Sequence, residues 1–295
     1  MINKQKSFDK LKANEGALYL VPTPIGNLQD MTYRAIDMLH KASIIASEDT
    51  RNTQKLLNHF EIKTPQISFH DHNFRERIPE LIGRMLEGEM IAQVSDAGMP
   101  SISDPGHELV VACIEADISV VALPGATAGV TALVASGLPA DQFTFYGFLP
   151  RKKSEQLTEL TKLKDKLETT IFYESPYRVK TTFMNMATVF GDERPAVLCR
   201  ELTKLHEEYL RGTLLEIATY LEENDIKGEC CILVGGISES QLLEEEQSTW
   251  EGLNVLEHIE EVMQLSQVSS KEAIKKVAKL RGLKKQEVYS EYHQD

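Results

Sequence analysis

Five short apolar runs in the first 123 residues each hand over to a polar loop, and a helical pattern follows each. Ala17 to Val21 leads into Pro22-Thr23-Pro24-Ile25-Gly26-Asn27, and Ser43 to Ala46 into Glu48-Asp49-Thr50-Arg51. Gln66 to Phe69 leads into His70-Asp71-His72-Asn73, Met90 to Val94 into the stretch from Ser95 to Gly106, and Val120 to Leu123 into Pro124-Gly125-Ala126-Thr127-Ala128-Gly129. Short strands alternating with amphipathic helices predict a mostly parallel sheet covered by helices. That arrangement gathers all five loops on one rim, where open α/β sheets bind ligands. Asp30 reads as the cap of the first helix, with Met31, Ala35, Met38 and Leu39 at helical spacing.

The fourth loop is the most informative. Gly98 and Gly106 permit positive φ or close backbone approach, whereas Pro100 and Pro105 fix φ and remove donors. A stiff connection alone would explain that punctuation. Two aspartates and three serines in the same thirteen residues, from Val94 to Gly106, favour a ligand instead.

A second α/β unit follows Gly137 to Pro150, a crossing segment broken by Gly137, Pro139, Gly147 and Pro150. Leu157, Leu160, Leu163 and Leu167 mark a helix, and Val179 to Phe190 another. Strands are expected at Thr169 to Tyr173, Ala196 to Cys199, Glu208 to Arg211 and Cys230 to Val234. Ser238 to Glu261 reads as an acidic linker and solvated helix, and Ser269 to Tyr292 as two short helices around Arg281-Gly282-Leu283. The expected organisation is an N-terminal α/β domain (1–138), a C-terminal α/β domain (139–238) and a helical tail (239–295).

The 295 residues are enough for two ordinary domains, and the formal net charge of -13 argues against nucleic-acid binding by bulk charge. No apolar run approaches a membrane span, and Met1 to Lys12 lacks the apolar core of a signal peptide. Cys113, Cys199, Cys230 and Cys231 form no C-x-x-C pair, so a cytosolic, reduced chain without structural zinc is expected.

Neither a G-x-x-x-x-G-K-[ST] loop nor a G-x-G-x-x-G turn is present, which disfavours a P-loop NTPase and a standard dinucleotide enzyme. The rim suits a nucleoside-type ligand better than a polyphosphate. His70-Asp71-His72 has metal-ligand chemistry, but no second cluster completes a set. Asp49 or Thr50 can cap a helix, which accounts for the acids but leaves Arg51 available for a phosphate or carboxylate. Tyr173 and Tyr177 can stack on a base, with Arg178 on a phosphate, or be ordinary half-buried and surface residues. Lys271 to Lys285 holds seven cations against Glu272, about +6 locally, with Lys271, Lys275 and Lys279 on one helical stripe.

Taken in order, Leu18 to Leu28, Glu48-Asp49-Thr50-Arg51, His70-Asp71-His72-Asn73, Ser95 to Pro100, Phe172-Tyr173-Glu174-Ser175 and Arg200-Glu201-Leu202-Thr203-Lys204 resemble one family. It is the ribosomal RNA small subunit methyltransferase I family, a branch of the tetrapyrrole methylase superfamily, and the resemblance covers about residues 17 to 236. It implies two α/β domains with S-adenosylmethionine in the cleft between them, a homodimer, and 2′-O-methylation of a cytidine ribose in the decoding centre of small-subunit rRNA. The partner would be small-subunit rRNA or the small ribosomal subunit.

By the same resemblance the cofactor should meet Pro24, Ile25, Gly26, Ser95, Asp96, Ala97, Gly98, Met99, Thr127 and Ala128. From the second domain it should meet Phe172, Tyr173, Gly228, Glu229 and Cys230. A carboxylate (Glu174 or Glu201, with Asp49 behind them) would accept the hydroxyl proton, Lys204 would steady the alkoxide, and Arg51, Arg178 and Arg200, with His70, His72 and Asn73, would hold RNA. Tyr177 and Ala126 depart from the family pattern, which commonly has His and Pro there. A C-methyltransferase acting on a tetrapyrrole precursor and a non-catalytic RNA-binding assembly factor are the competing readings, because fold alone does not fix substrate.

Overall fold

The computed structural model describes residues 4–5, 16–104, 106–238, 241, 250 and 252–293. The chain divides into two compact units, one of residues 1–161 with 168–235, the other of residues 162–167 with 236–295.

The first half of the larger unit is a parallel sheet. Its strands are β1 (Ala17–Leu20), β2 (Ile44–Ser47), β3 (Gln66–Ser68), β4 (Met90–Val94) and β5 (Ser119–Ala122), in the order β3-β2-β4-β1-β5. Between them run α1 (Tyr33–Lys41), α2 (Thr50–His59), α3 (Phe74–Leu86) and α4 (His107–Glu115), and α5 (Ala128–Ser136) follows β5. Every strand pair in this sheet is parallel. Successive side chains point to opposite faces, so both faces acquire a core. Ile45, Ala92 and Val121 pack under Leu39 and Leu57 on one face. Leu18, Ala46 and Ile91 pack under Leu81, Met85 and Leu109 on the other. Each fully buried side chain of this size contributes roughly 1.5–3 kcal/mol.

The second half carries β6 (Phe143–Phe148), α6 (Lys153–Leu163), β7 (Thr169–Glu174), α7 (Val179–Phe190), β8 (Pro195–Arg200), β9 (Glu208–Thr213), α8 (Leu214–Glu223) and β10 (Cys230–Val234). Its order is β6-β7-β10-β8-β9, with only β6 and β7 parallel. Because β10 runs against both neighbours, Cys230 at its start pairs with Glu174 and with Arg200, the ends of β7 and β8. The Gly228–Cys230 segment thereby reaches the same edge as the loops that leave β7 and β8.

Three local expectations are corrected. Asp30 closes a short 3-10 turn (Leu28–Asp30), and the cap of α1 is Thr32, whose hydroxyl accepts from the Ala35 N–H. The crossing segment holds strand β6, interrupted between Phe145 and Gly147 by a bulge where Gly147 takes a φ of 81°. The glycine that reads as a breaker is the bulge residue.

The smaller unit contains α9 (Val255–Ser266), α10 (Ser270–Leu280) and α11 (Lys285–Tyr292). Here the third correction falls, since α9 is not a solvated helix: it buries Val255, Ile259 and Val262 against Ile274, Val277 and Val288. Reciprocal caps, Asn254 with Glu257 and Ser269 with Glu272, start α9 and α10. Much of the acidic linker expected after Ser238 lies outside the described residues. Among the described residues no helix is long and apolar enough to cross a membrane.

Candidate active site

Four of the five loops of the parallel sheet and four segments of the mixed sheet surround a cavity of about 360 Å³, and the 70–73 loop contributes nothing to its lining. The first sheet contributes Ile25, Glu48, the 96–99 turn, Ile102, Ser103, Asp104, Thr127 and Ala128. The second contributes Phe148, Tyr173, Glu174, Ser175, Pro176, Leu202 and the Gly228–Cys231 segment. Five carboxylates line this cavity, from Glu48, Asp96, Asp104, Glu174 and Glu229, and no lysine or arginine does.

The loops are cross-braced. Thr23 and Gly98 exchange two backbone hydrogen bonds of 3.0 Å each, and the Thr23 hydroxyl donates to the Ser95 carbonyl at 3.1 Å. Asp49 caps α2 by accepting from the Arg51 N–H at 2.8 Å, and its own N–H donates to Asp96 Oδ1 at 3.2 Å. The Asp96 N–H in turn donates to Glu48 Oε2 at 3.2 Å. Across the cavity the Tyr173 hydroxyl accepts from the Gly129 N–H at 3.1 Å, at the start of α5.

Backbone strain concentrates on two of these loops. Ser101 and Ser103 on one, and Glu201 and Thr203 on the other, take φ between 51° and 70°. Left-handed φ is a true outlier for β-branched Thr203, and such residues persist where the surroundings over-determine them. Glu207 Oε2 accepts from the Thr203 N–H at 2.6 Å, and Gly26 sits against the turn on the other side. A Cβ at Gly26 would fall 2.4 Å from Lys204 Cγ and 3.0 Å from the Leu202 carbonyl, so only glycine lets the two halves approach here.

The cations sit on the rim. Lys204 Nζ donates to Glu201 Oε1 at 2.8 Å and to Glu229 Oε2 at 3.0 Å. Burial works against the ammonium, but these two carboxylates outweigh it and hold the Lys204 pKa above its usual range. Hydrogen bonding from Lys204 in turn keeps the Glu201 pKa low. Arg51 is 87% exposed and paired with Asp49, whose pKa its hydrogen bonds bring down to about 2. Arg200 donates to Glu208 at 3.0 Å and to the Lys227 carbonyl at 3.3 Å.

Deeper in, the carboxyls behave in the opposite way. Burial, followed by the neighbouring Glu48 charge, pushes Asp104 up to about 6. Burial also raises Glu48. Buried carboxylates facing one another without a cation resist ionisation.

Among the residues singled out from sequence, Ile25, Asp96, Ala97, Gly98, Met99, Thr127, Ala128, Tyr173, Glu174, Gly228, Glu229 and Cys230 line the cavity. Pro24, Gly26 and Ser95 instead line a smaller hollow of about 210 Å³, which shares Asp96. Phe172 is fully buried, with its ring 5.5 Å from Tyr146, so only its backbone is at hand for a ligand. Glu174 is buried and fully engaged, accepting from the Ser175 N–H at 2.7 Å and from Thr182 at 2.8 Å, with Arg178 at 3.1 Å. Arg178 is tied down likewise, donating to the carbonyls of Leu149 and Pro150. Asn73 is spent on its own loop, accepting from the His70 N–H and donating to Ser68. His70 and His72 stand with ring centroids 5.9 Å apart, and His70 Nδ1 accepts from the His72 N–H. Among the described residues no group of three or more His, Cys, Asp or Glu could hold a metal.

Sequence reasoning gave no site role to Glu48, Ile102, Ser103, Asp104, Phe148, Ser175, Pro176, Leu202 or Cys231, all of which line the cavity. Asp104 stood in the stiff loop that marked the rim, so its position was the available signal. Phe148 had none, because its strand reads as a broken segment. The cysteines are free and buried. Burial pushes the Cys199 and Cys230 thiols up to about 12, which removes them as nucleophiles.

Residues 17–218 match the family described as Tetrapyrrole (Corrin/Porphyrin) Methylases. The chain is 52% identical over 289 residues to the "Ribosomal RNA small subunit methyltransferase I" of Streptococcus pyogenes serotype M1, covering 98% of both chains. It is 49% identical over 293 residues to the protein of that name from Bacillus subtilis (strain 168), covering 99% of each. Solved structures share the fold at lower identity. Cobalt precorrin-4 methyltransferase matches with a TM-score of 0.56 at 20% identity, over 74% of this chain and 94% of that one. Uroporphyrin-III C-methyltransferase from Thermus thermophilus, complexed with S-adenosylhomocysteine, matches with a TM-score of 0.54 at 17% identity, over 75% and 97%.

Proposed function

The chain belongs to the ribosomal RNA small subunit methyltransferase I family of tetrapyrrole methylases, and from that premise we propose that it methylates small-subunit rRNA on the 2′-hydroxyl of a cytidine. The observation that carries the reading is the charge pattern of the site: carboxylates inside, cations on the rim.

Of the five acids lining the cavity, Glu174 and Glu229 are paired with Arg178 and Lys204, and the remaining three, Glu48, Asp96 and Asp104, disfavour polyphosphates and suit S-adenosylmethionine, which carries a sulfonium cation and ribose hydroxyls. Ile25, Met99 and Leu202 offer apolar walls for the adenine, and the backbone of the 96–99 turn and of Thr127 lies open to polar contacts. When bound, the cofactor supplies an electrophilic methyl group. The work left to the protein is to place a ribose oxygen in line with that methyl and to take its proton.

The surroundings of the carboxylates support one pair of them as proton acceptor. Glu174 has its oxygens engaged, while Glu201 and Asp49 are held acidic by Lys204 and Arg51. Asp104, raised to about 6, and Glu48 beside it are suited to accept a proton near neutral pH. Lys204, fixed by Glu201, steadies the developing alkoxide from the rim. Arg51, Arg200, His70 and His72 face the RNA backbone, whereas Arg178 and Asn73 keep the loops in shape. The exposed stripe Lys271, Lys275 and Lys279 on α10 adds a phosphate-binding face. The chain acts in the cytoplasm and as a homodimer.

Transfer of label from S-adenosyl-[methyl-³H]methionine to small ribosomal subunits, followed by mapping of the nucleotide, tests this. Label on a cytidine ribose is the expected result. Label on a base would keep the substrate and change the acceptor atom. No label on RNA, with label on a corrinoid precursor, would replace the reading.

A further inference from the structure

Tyr177 is 95% exposed, and among the described residues neither its ring nor its hydroxyl has a partner. It nevertheless stands on rigid backbone. The Tyr177 N–H donates to the Ser175 hydroxyl at 3.3 Å, the Arg178 and Val179 N–H groups both donate to the Ser175 carbonyl at 3.0 Å, and Pro176 fixes the intervening φ. Ser175 and Pro176 line the cavity, and Tyr177 is the next residue along the chain.

A second ring stands on the adjoining segment. Phe148 ends β6, lines the cavity and is 58% exposed, with its ring 5.6 Å from Tyr173 in an edge-on arrangement. The two segments are clamped together by Arg178, whose Nη2 reaches the carbonyls of Leu149 at 3.1 Å and Pro150 at 3.0 Å from the residue next to Tyr177. One ion pair, from the part-exposed Arg178 to the buried Glu174, anchors the clamp. An exposed aromatic ring alone requires no explanation. Here two exposed rings stand on segments that Arg178 ties together, one lining the reaction cavity and the other next to its lining.

The chemistry of the proposed reaction supplies the occupant. A nucleotide that leaves the RNA stack can carry its ribose hydroxyl into a cavity to meet a methyl donor, and the stacking it loses must then be replaced. We propose that Tyr177 and Phe148 are a stacking platform that receives an unstacked nucleobase of the RNA beside the cavity. The inference rests on the rRNA reading given above and adds a recognition element to it. A flat aromatic face accepts any base, so the platform contributes affinity and orientation rather than a hydrogen-bond code.

The test is methylation of small ribosomal subunits by Tyr177→Ala, Tyr177→Phe and Tyr177→Trp, with binding of S-adenosylmethionine measured separately by equilibrium dialysis. Tyr177→Ala should lower kcat/KM by about tenfold, mostly through KM, the scale of one lost base–aromatic stack. Tyr177→Phe and Tyr177→Trp should stay near wild type, and cofactor affinity should be unchanged in all three. Wild-type kcat/KM in Tyr177→Ala overturns the inference. So does a Tyr177→Phe protein as impaired as Tyr177→Ala, which would assign the effect to the hydroxyl, or a loss of cofactor affinity in Tyr177→Ala, which would place the residue in the cofactor site. A wild-type protein inactive on subunits overturns the rRNA reading and the platform with it.

Discussion

The Arg178 guanidinium lies 3.1 Å from the Glu174 carboxylate, whose side chain is 1% exposed, and the same nitrogen bonds two carbonyls at the end of β6. A cation on the cavity rim is therefore a tie between β6 and the turn after β7. Arg178→Ala would leave a buried carboxylate without its cation, a loss of roughly 3 kcal/mol. Thermal denaturation should show a melting temperature lowered by several degrees. Adding Glu174→Gln to that variant should recover part of the loss, because a neutral amide needs no cation.

Asp104 titrates near 6, against 3.8 for an ordinary aspartate, because burial and the Glu48 charge oppose its ionisation. The folded form binds the proton more tightly than the unfolded form. This stabilisation is fully present below about pH 4 and is lost as pH rises through about 6. Asp104→Asn should accordingly melt higher than wild type at pH 7.5, with the difference vanishing towards pH 4. Its single-turnover methylation should fall about 100-fold or more, and the acidic limb of the pH–rate profile near 6 should disappear. Unchanged methylation would remove Asp104 as proton acceptor.

Gly26 and Lys204 bring the two sheets' loops into contact. Gly26→Ala would push a methyl into the Lys204 stem and against the Leu202 carbonyl. The lysine stem can swing aside, but the carbonyl belongs to the backbone of a strained turn. Displacement of Lys204 on the scale of 1 Å should slow methyl transfer by about 100-fold. A rate and melting temperature both at wild-type values would show that the turn yields without consequence.

The smaller unit carries its own pH reporter. His258 is buried, stacks on Trp250 with centroids 5.1 Å apart, and its Nδ1 accepts from Arg281 Nε at 3.1 Å. Burial, then the Arg281 and Lys276 charges, lower its pKa below the usual 6.5. The unfolded chain takes up this proton first, so stability of the unit is full above 6.5 and is lost as pH falls through the lower folded value. Trp250 is the chain's single tryptophan, so its fluorescence reads this unit directly. Denaturant midpoints followed by that emission should drop between pH 7 and 5, and His258→Gln should flatten the dependence.

Arg281 is consumed by this cluster, donating also to the carbonyls of Leu253 and Asn254 and lying over Trp250. The cations left for a phosphate surface on α10 include Lys271, Lys275 and Lys279. Replacing all three with Gln should weaken binding to small ribosomal subunits and reduce the slope of log K against log salt by about 2–3. Methylation at saturating substrate should change little. An unaltered salt slope would remove this stripe from the RNA surface.

Local signals in the sequence specify the first sheet and its rim. Apolar runs such as Met90–Val94 and breakers such as Pro22, Gly98 and Gly125 are local signals, and a parallel sheet places every loop that follows a strand at one edge. The sequence also marked Asp96 and Tyr173, through their position at strand ends. Tertiary structure decided the rest, because a side chain's partner is set by long-range pairing. The antiparallel run of β10 carries Glu229 to Lys204 across 25 residues, and Arg178 reaches back 29 residues to the Leu149 carbonyl. Strand β6 escaped notice because its bulge glycine mimics a chain break. Which carboxylate stays acidic and which takes up a proton was likewise illegible in sequence. Asp49 has a guanidinium within 2.8 Å, whereas Asp104 has burial and another acid, and that difference in surroundings separates about 2 from about 6.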